Sequence, residues 1–182
     1  RASLALRGWR GTLVRIREAF ATRPAQDDSL ELLPLDQPFA PFALPRAETP
    51  EVSIIIPVHG QLAYTLACLR SIDRHGARAA FEVIVVDDAS PDDSAEKLSG
   101  IAGLTLLRNA HNLGFVGSCN AGAAAARGDC LLFLNNDTQV TSGWLDALLG
   151  CLAERADCGI VGSRLVYPDG RLQEAGALVF AD

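Results

Sequence analysis

The sequence predicts an α/β domain built on a doubly wound, mostly parallel sheet, and three observations carry that expectation. From Val52 onward, short apolar runs alternate with stretches of helical periodicity. The runs are continuous and rich in Val, Ile and Leu, as strands buried on both faces are. The length of 182 residues, with 49% hydrophobic and 21% charged side chains, suits one packed core. Ligands of such sheets bind outside the carboxyl ends of the strands, which makes the residues just after each strand the ones to inspect.

Taken in order, residues 1–23 come first. Leu6, Trp9, Leu13, Ile16 and Phe20 recur at spacings of three and four, one face of a helix, with Arg7, Arg10 and Arg17 around the rest. A basic amphipathic helix of this kind fits an anionic membrane surface or the flank of a neighbouring domain. Residues 24–51 form a Pro-rich linker or an extended strap on the domain surface. Pro34, Pro38, Pro41, Pro45 and Pro50 forbid helix there and deny strand pairing.

Residues 52–182 hold the domain. Val52–Ile56, Phe81–Val86, Leu104–Leu107, Cys130–Leu134 and Gly159–Val161 read as strands. Ala63–Arg74, Asp92–Leu98, Gly117–Arg127 and Trp144–Glu154 read as helices, the second opened by Ser90-Pro91-Asp92-Asp93 as a capped start.

Composition excludes several classes. The net charge of −6 divides into six Arg and one Glu over residues 1–23, against ten basic and twenty-one acidic residues elsewhere. The body therefore offers no basic face to nucleic acid. No apolar run reaches the roughly 18 residues of a membrane span, and the N-terminus lacks the pattern of a signal peptide. The chain is expected to be soluble and cytoplasmic, with residues 1–23 as a candidate peripheral contact to a membrane surface. Cys68, Cys119, Cys130, Cys151 and Cys158 form no CxxC pair and are odd in number, which reads as reduced thiols. The absence of Met and the Arg at position 1 suggest a fragment.

The strand ends carry the polar residues. Pro57-Val58-His59-Gly60 follows the first strand and Asp87-Asp88-Ala89-Ser90 the second. A carboxylate there can accept hydrogen bonds from a base N–H or ribose hydroxyls, and it can equally cap the next helix. After the third strand, Asn112-Leu113-Gly114-Phe115 leads to a helix expected to start near Gly117. Its unpaired N–H groups suit an anion such as a diphosphate, unless the segment is an ordinary turn. Leu132-Phe133-Leu134 runs directly into Asn135-Asn136-Asp137-Thr138, where consecutive polar side chains either face a ligand or close an Asx turn.

Together these segments resemble the family 2 glycosyltransferases. The residues that carry the resemblance are Val52–Val58, Glu82–Asp92, Asn112–Phe115 and Leu132–Thr138, the last followed by Gly143-Trp144-Leu145. Val161-Gly162 through Tyr167-Pro168-Asp169-Gly170-Arg171-Leu172-Gln173-Glu174-Ala175-Gly176 is similar, more narrowly, to bacterial members that build O-antigen and other surface polysaccharides, rhamnosyltransferases among them.

The resemblance implies a GT-A fold and inverting transfer of a sugar from a nucleotide-diphosphate donor, UDP- or dTDP-linked, to a glycan or lipid-linked acceptor. It implies that Pro57, Val58 and His59 line the nucleoside pocket and that Asp87, Asp88 or both bond the base or ribose. Asn112, Gly114, Phe115, Asn135 and Asn136 complete the donor site. Asn135-Asn136-Asp137 stands where the family has Asp-x-Asp, which makes Asp137 the ligand of Mg²⁺ or Mn²⁺ and leaves Asn135, uncharged, to face the donor. The general base is expected beyond Asp182, with Glu174 read as a surface or acceptor-loop residue.

Two other enzyme-like readings fail on the residues. Pro57-Val58-His59-Gly60-Gln61 is not the G-x-G-x-x-G of a nicotinamide site, and the only lysine, Lys97, is misplaced for a phospho-acceptor domain. A catalytically inactive nucleotide-binding or scaffolding module with the same fold stays open at this point.

Overall fold

The computed structural model describes residues 30–175. The helix expected over residues 1–23 lies outside them. Four strands, β1 (Val52–Val58), β2 (Phe81–Asp87), β3 (Leu104–Arg108) and β4 (Cys130–Phe133), form one parallel sheet in the order β3-β2-β1-β4. Between them run α1 (Leu62–His75), α2 (Ser94–Ser99) and α3 (Gly114–Ala125), and α4 (Trp144–Ala153) follows β4. The expected α/β class and parallel sheet are thus what the chain adopts.

Side-chain alternation along β1 and β2 divides the core. Val52, Ile54, Ile56 and Val58, with Phe81, Val83 and Val85, pack against Leu66, Cys68, Leu69 and Ile72 of α1, Leu98 of α2 and Leu145 of α4. On the opposite face Ile55, Ile84 and Val86 meet Ala121 and Ala123 of α3. The small residues let α3 come close, and a Cβ on Gly122 would run into Ile55 and Val86. Each fully buried Ile or Leu contributes about 1.5–3 kcal/mol of transfer free energy, which is why β1 and β2, buried at every position, anchor the fold.

Pro57 belongs to β1, one residue past the strand end expected from the sequence. Ile55 C=O accepts Leu134 N–H on the β4 side and Val58 C=O accepts Asp88 N–H on the β2 side. By alternation the missing N–H of Pro57 points toward β4, whose ladder has already ended at Ile55–Phe133.

The expected strand Gly159–Val161 does not form. Ile160 is 91% exposed, and no sheet edge receives so short a run. Instead β5 (Arg164–Val166) and β6 (Leu172–Ala175) pair antiparallel in a separate two-stranded sheet, turned at Tyr167–Gly170. Pro168-Asp169-Gly170 is the turn signal behind that hairpin.

Residues 30–50 lie extended across the domain. Leu44 is buried, Ala43 bridges to Ala102, and Leu44 N–H donates to Ala102 C=O at 2.9 Å. At the amino ends of the strands Arg127 joins this segment to the sheet. Its guanidinium donates to Ala47 and Glu48 C=O and to Glu82 Oε2, the last at 2.9 and 2.7 Å, while Ser53 Oγ donates to Glu82 Oε1 at 2.7 Å.

Candidate functional site

At the carboxyl edge the loops after β1, β2 and β3 are locked together. His59 Nδ1 lies 2.9 Å from Asp88 C=O; a carbonyl only accepts, so Nδ1 carries a proton and, in the neutral ring, Nε2 is the acceptor. Gly60 N–H donates to Ser90 Oγ at 2.8 Å, and Ser90 N–H donates to Asp87 Oδ1 at 3.0 Å. Ala89, between the two acidic residues and Ser90, has φ 55°, a left-handed conformation that costs a non-glycine residue about 1 kcal/mol or more.

The two acidic residues differ. Asp88 caps α3 from another loop: Oδ1 accepts Leu113 N–H and Asn109 Nδ2, each at 2.8 Å, and Oδ2 accepts Gly114 N–H at 2.9 Å. Burial works to raise the Asp88 pKa, but these donors together with Ser118 outweigh it and hold the carboxyl below its ordinary value. Asp87 is wholly buried, and its Oδ2 lies 3.2 Å from Arg108 Nε at an angle that makes no hydrogen bond. One carboxylate oxygen of the pair therefore keeps an unused acceptor position.

This geometry moves expected helix starts and fixes where the expected site residues lie. The helix after β3 begins at Gly114, three residues before the expected Gly117, and its leading N–H groups are already engaged by Asp88 and by Asn112 Oδ1, which accepts Gly114 N–H at 2.9 Å. The Leu113 and Gly114 N–H groups are therefore not free for an anion. Val58 is 1% exposed and packs in the core beside a buried Pro57, so the side chains that reach solvent after β1 begin at His59. The capped start expected at Ser90-Pro91-Asp92-Asp93 is present, with Asp92 Oδ1 accepting Ser94 N–H at 3.1 Å, and α2 begins at Ser94 rather than at Asp92. Phe115, expected in the donor site, is 58% exposed on the first turn of α3, and Asn112 Nδ2 approaches the His59 ring at 3.4 Å.

Asn135, Asn136 and Asp137 sit on the other side of β1, past the end of β4, where the strand order reverses. Asn135 and Asp137 are exposed, and Asn136 is half-buried. The loop is seated on α1 through a polar stripe that the sequence reading passed over. Asn136 Nδ2 donates to Thr65 Oγ1 at 3.0 Å, Cys68 Sγ lies 3.8 Å from Asn135 C=O, and Val140 N–H donates to Ser71 Oγ at 3.0 Å. Small polar residues three apart on one face of the helix, Thr65, Cys68 and Ser71, were the available signal. Arg108, Asn109 and Ser90 were also missed, since nothing local marks them as partners of Asp87 and Asp88.

Among the described residues no three His, Cys, Asp or Glu side chains gather where a metal ion could bind. Asp137 alone offers an exposed carboxylate in the 135–137 segment. That donor set fits a hard divalent cation shared with the oxygens of a bound diphosphate, not a metal held by protein groups alone.

The family model described as "Glycosyl transferase family 2" matches residues 53–178, more than half the chain. The chain belongs to this glycosyltransferase family. Among curated relatives it is similar to the uncharacterized protein y4gI of Sinorhizobium fredii, 38% identical over 149 residues and covering 78% of this chain and 16% of that protein. It is also similar to the O-antigen biosynthesis protein RfbC of Myxococcus xanthus, 34% identical over 135 residues, covering 72% of this chain and 10% of that protein. The chain thus spans less than a fifth of the length of either relative. Among solved structures it is similar to the mannosyltransferase PcManGT from Pyrobaculum calidifontis, which is in complex with GDP-Man and Mn²⁺, at 24% identity and a TM-score of 0.49, covering 65% of this chain and 36% of that one.

Proposed function

We propose that this chain supplies the donor-binding part of an inverting, metal-dependent glycosyltransferase of bacterial surface-polysaccharide synthesis, taking a UDP- or dTDP-linked sugar for transfer to a glycan or lipid-linked acceptor. The observation that carries the reading is the gathering of the polar segments 59–60, 87–90, 109–112 and 135–137 at one edge of a parallel sheet in a member of this family. RfbC, named for O-antigen biosynthesis, supports the surface-polysaccharide part.

Roles follow from what each side chain has left to offer. His59 Nε2 is an acceptor suited to a base N–H, and Asn112 stands beside it. Because Asp88 is engaged by α3, the nucleoside-binding role passes to Asp87, whose Oδ2 makes no hydrogen bond and lies 3.2 Å from Arg108 Nε. Asn135 offers an amide to the donor without adding charge, and Asp137 holds the cation. Bound there, Mg²⁺ or Mn²⁺ would offset negative charge on the departing nucleoside diphosphate. The general base is assigned to none of the described residues; Glu174 lies exposed on β6, opposite Leu165.

Calorimetric titration of the chain with UDP and with dTDP, each with and without Mn²⁺, tests the proposal. Metal-dependent binding of either supports it and selects the base. Binding of neither leaves the fold as an inactive module, the reading that the uncharged Asn135 would then favour.

A further inference from the structure

We infer that the strap formed by residues 30–44 clamps the candidate metal-binding loop, and that Gln139 is the positioning residue through which it acts. This inference rests on the donor-site reading above and goes beyond it, because nothing in that reading requires the segment before β1.

Two hydrogen bonds define the clamp. Leu33 N–H donates to Gln139 Oε1 at 2.7 Å, and Gln139 Nε2 donates to Leu33 C=O at 3.0 Å. One side-chain amide thereby satisfies both backbone groups of a residue 106 positions away. Gln139 lies two residues after Asp137, in the loop whose inner side rests on Thr65, Cys68 and Ser71 of α1. The loop is held between a polar stripe on a helix and a backbone segment across it. The strap is in turn fixed to the same helix: Arg70 donates to Gln37 Oε1 at 2.8 Å and to Pro38 C=O at 3.2 Å, and Arg74 pairs with Glu31 at 2.8 Å. Further along, Leu44 is buried and bonded to Ala102, which sets the far end of the strap in the core.

The chemistry makes this arrangement consequential. A cation bound through a single protein carboxylate has no second protein ligand to correct its position, so the geometry of Asp137 depends on the loop backbone. Thr138 Oγ1 and N–H both close back on Asn135 C=O, at 2.7 and 3.3 Å, which makes 135–138 one turn that moves as a unit. Gln139 is the next residue, and its side chain sets the orientation of that turn against the strap.

The test compares the 182-residue chain with Gln139→Met, which keeps the side-chain length and removes both bonds, and with a chain lacking residues 1–36, which removes Leu33 and leaves Gln139. Two readouts are used: amide hydrogen exchange without ligand, and UDP or dTDP affinity with and without Mn²⁺. Expected are faster exchange over residues 134–140 with unchanged protection in β1 and β2, and a loss of roughly tenfold or more in metal-dependent affinity with metal-free nucleotide affinity unchanged. The deletion keeps the inference testable if Gln139→Met fails to fold. Wild-type exchange and wild-type metal-dependent affinity in the variants would overturn the inference alone. Absence of metal-dependent binding by the unaltered chain would overturn the donor-site reading and the role of Gln139 with it, whatever the exchange shows.

Discussion

The Asp88 carboxylate accepts the backbone N–H of Leu113 at 2.8 Å, so that a residue following β2 caps a helix that begins 26 residues later at Gly114. An acidic residue in the family's motif region thus works first as a structural bond between the β2 and β3 loops. The charge at the start of α3 also meets the positive end of the helix dipole.

Asp88→Ala is expected to destabilise the chain by about 1–3 kcal/mol, since it removes the acceptor that Leu113 N–H, Gly114 N–H and Asn109 Nδ2 share. The sign of the pH dependence follows from the direction of the shift. The folded carboxyl is held below its ordinary value, so its contribution is full above about pH 4, the unfolded value, and is lost as pH falls further. Asp88→Asn should flatten the acid limb of stability, measured by urea denaturation between pH 3 and 7, each value read at about the same ionic strength. An unchanged limb would show that the cap carries no charge-dependent stability.

Glu82 and Arg127 give a second prediction. Burial works to raise the Glu82 pKa, but the hydrogen bonds from Ser53 and Arg127 and the Arg127 charge outweigh it and hold the carboxyl below its ordinary value. Arg127→Met strands that charge, 3% exposed, and should cost about 3–5 kcal/mol in denaturant midpoints converted through the m-value. Glu82→Gln combined with Arg127→Met should recover part of the loss; a double variant no more stable than Arg127→Met would contradict the account.

Cys68 is predicted to be inert. Burial pushes its thiol pKa to about 12, the bond to Thr138 opposes the rise and the charge of Asp137 adds to it. Iodoacetamide at pH 8 should modify the exposed Cys151 and leave Cys68 untouched until the chain unfolds, as read by peptide mass spectrometry. Prompt labelling of Cys68 would show that the 135–140 loop opens readily from α1.

Much of the fold was legible because it rests on local patterns. The runs of β1 and β2 are short and β-branched, which favours strand, and α1 and α4 start and stop within a residue of where their periodicity does. The failures share a cause. Gly159–Val161 needed a sheet edge to receive it, α3 begins early because a distant Asp88 caps Gly114, and Gln139 matters only because Leu33 lies against it. Each depends on a partner remote in sequence, which one chain without its fold cannot display. Within the candidate site the same division holds: the strand-end positions were readable, but which of Asp87 and Asp88 retains a free oxygen was decided by Arg108, Asn109 and Leu113.

The central claim is that Asp137 binds a divalent cation jointly with a nucleoside diphosphate. Its most direct measurement is the electron paramagnetic resonance titration of Mn²⁺ with the 182-residue chain and with Asp137→Ala, each with and without UDP or dTDP. With no cluster of three ligands among the described residues, the account predicts little bound Mn²⁺ without nucleotide. It predicts a bound-ion signal when UDP or dTDP is added to the unaltered chain, and loss of that signal in Asp137→Ala. Equal nucleotide-dependent binding by Asp137→Ala would contradict it.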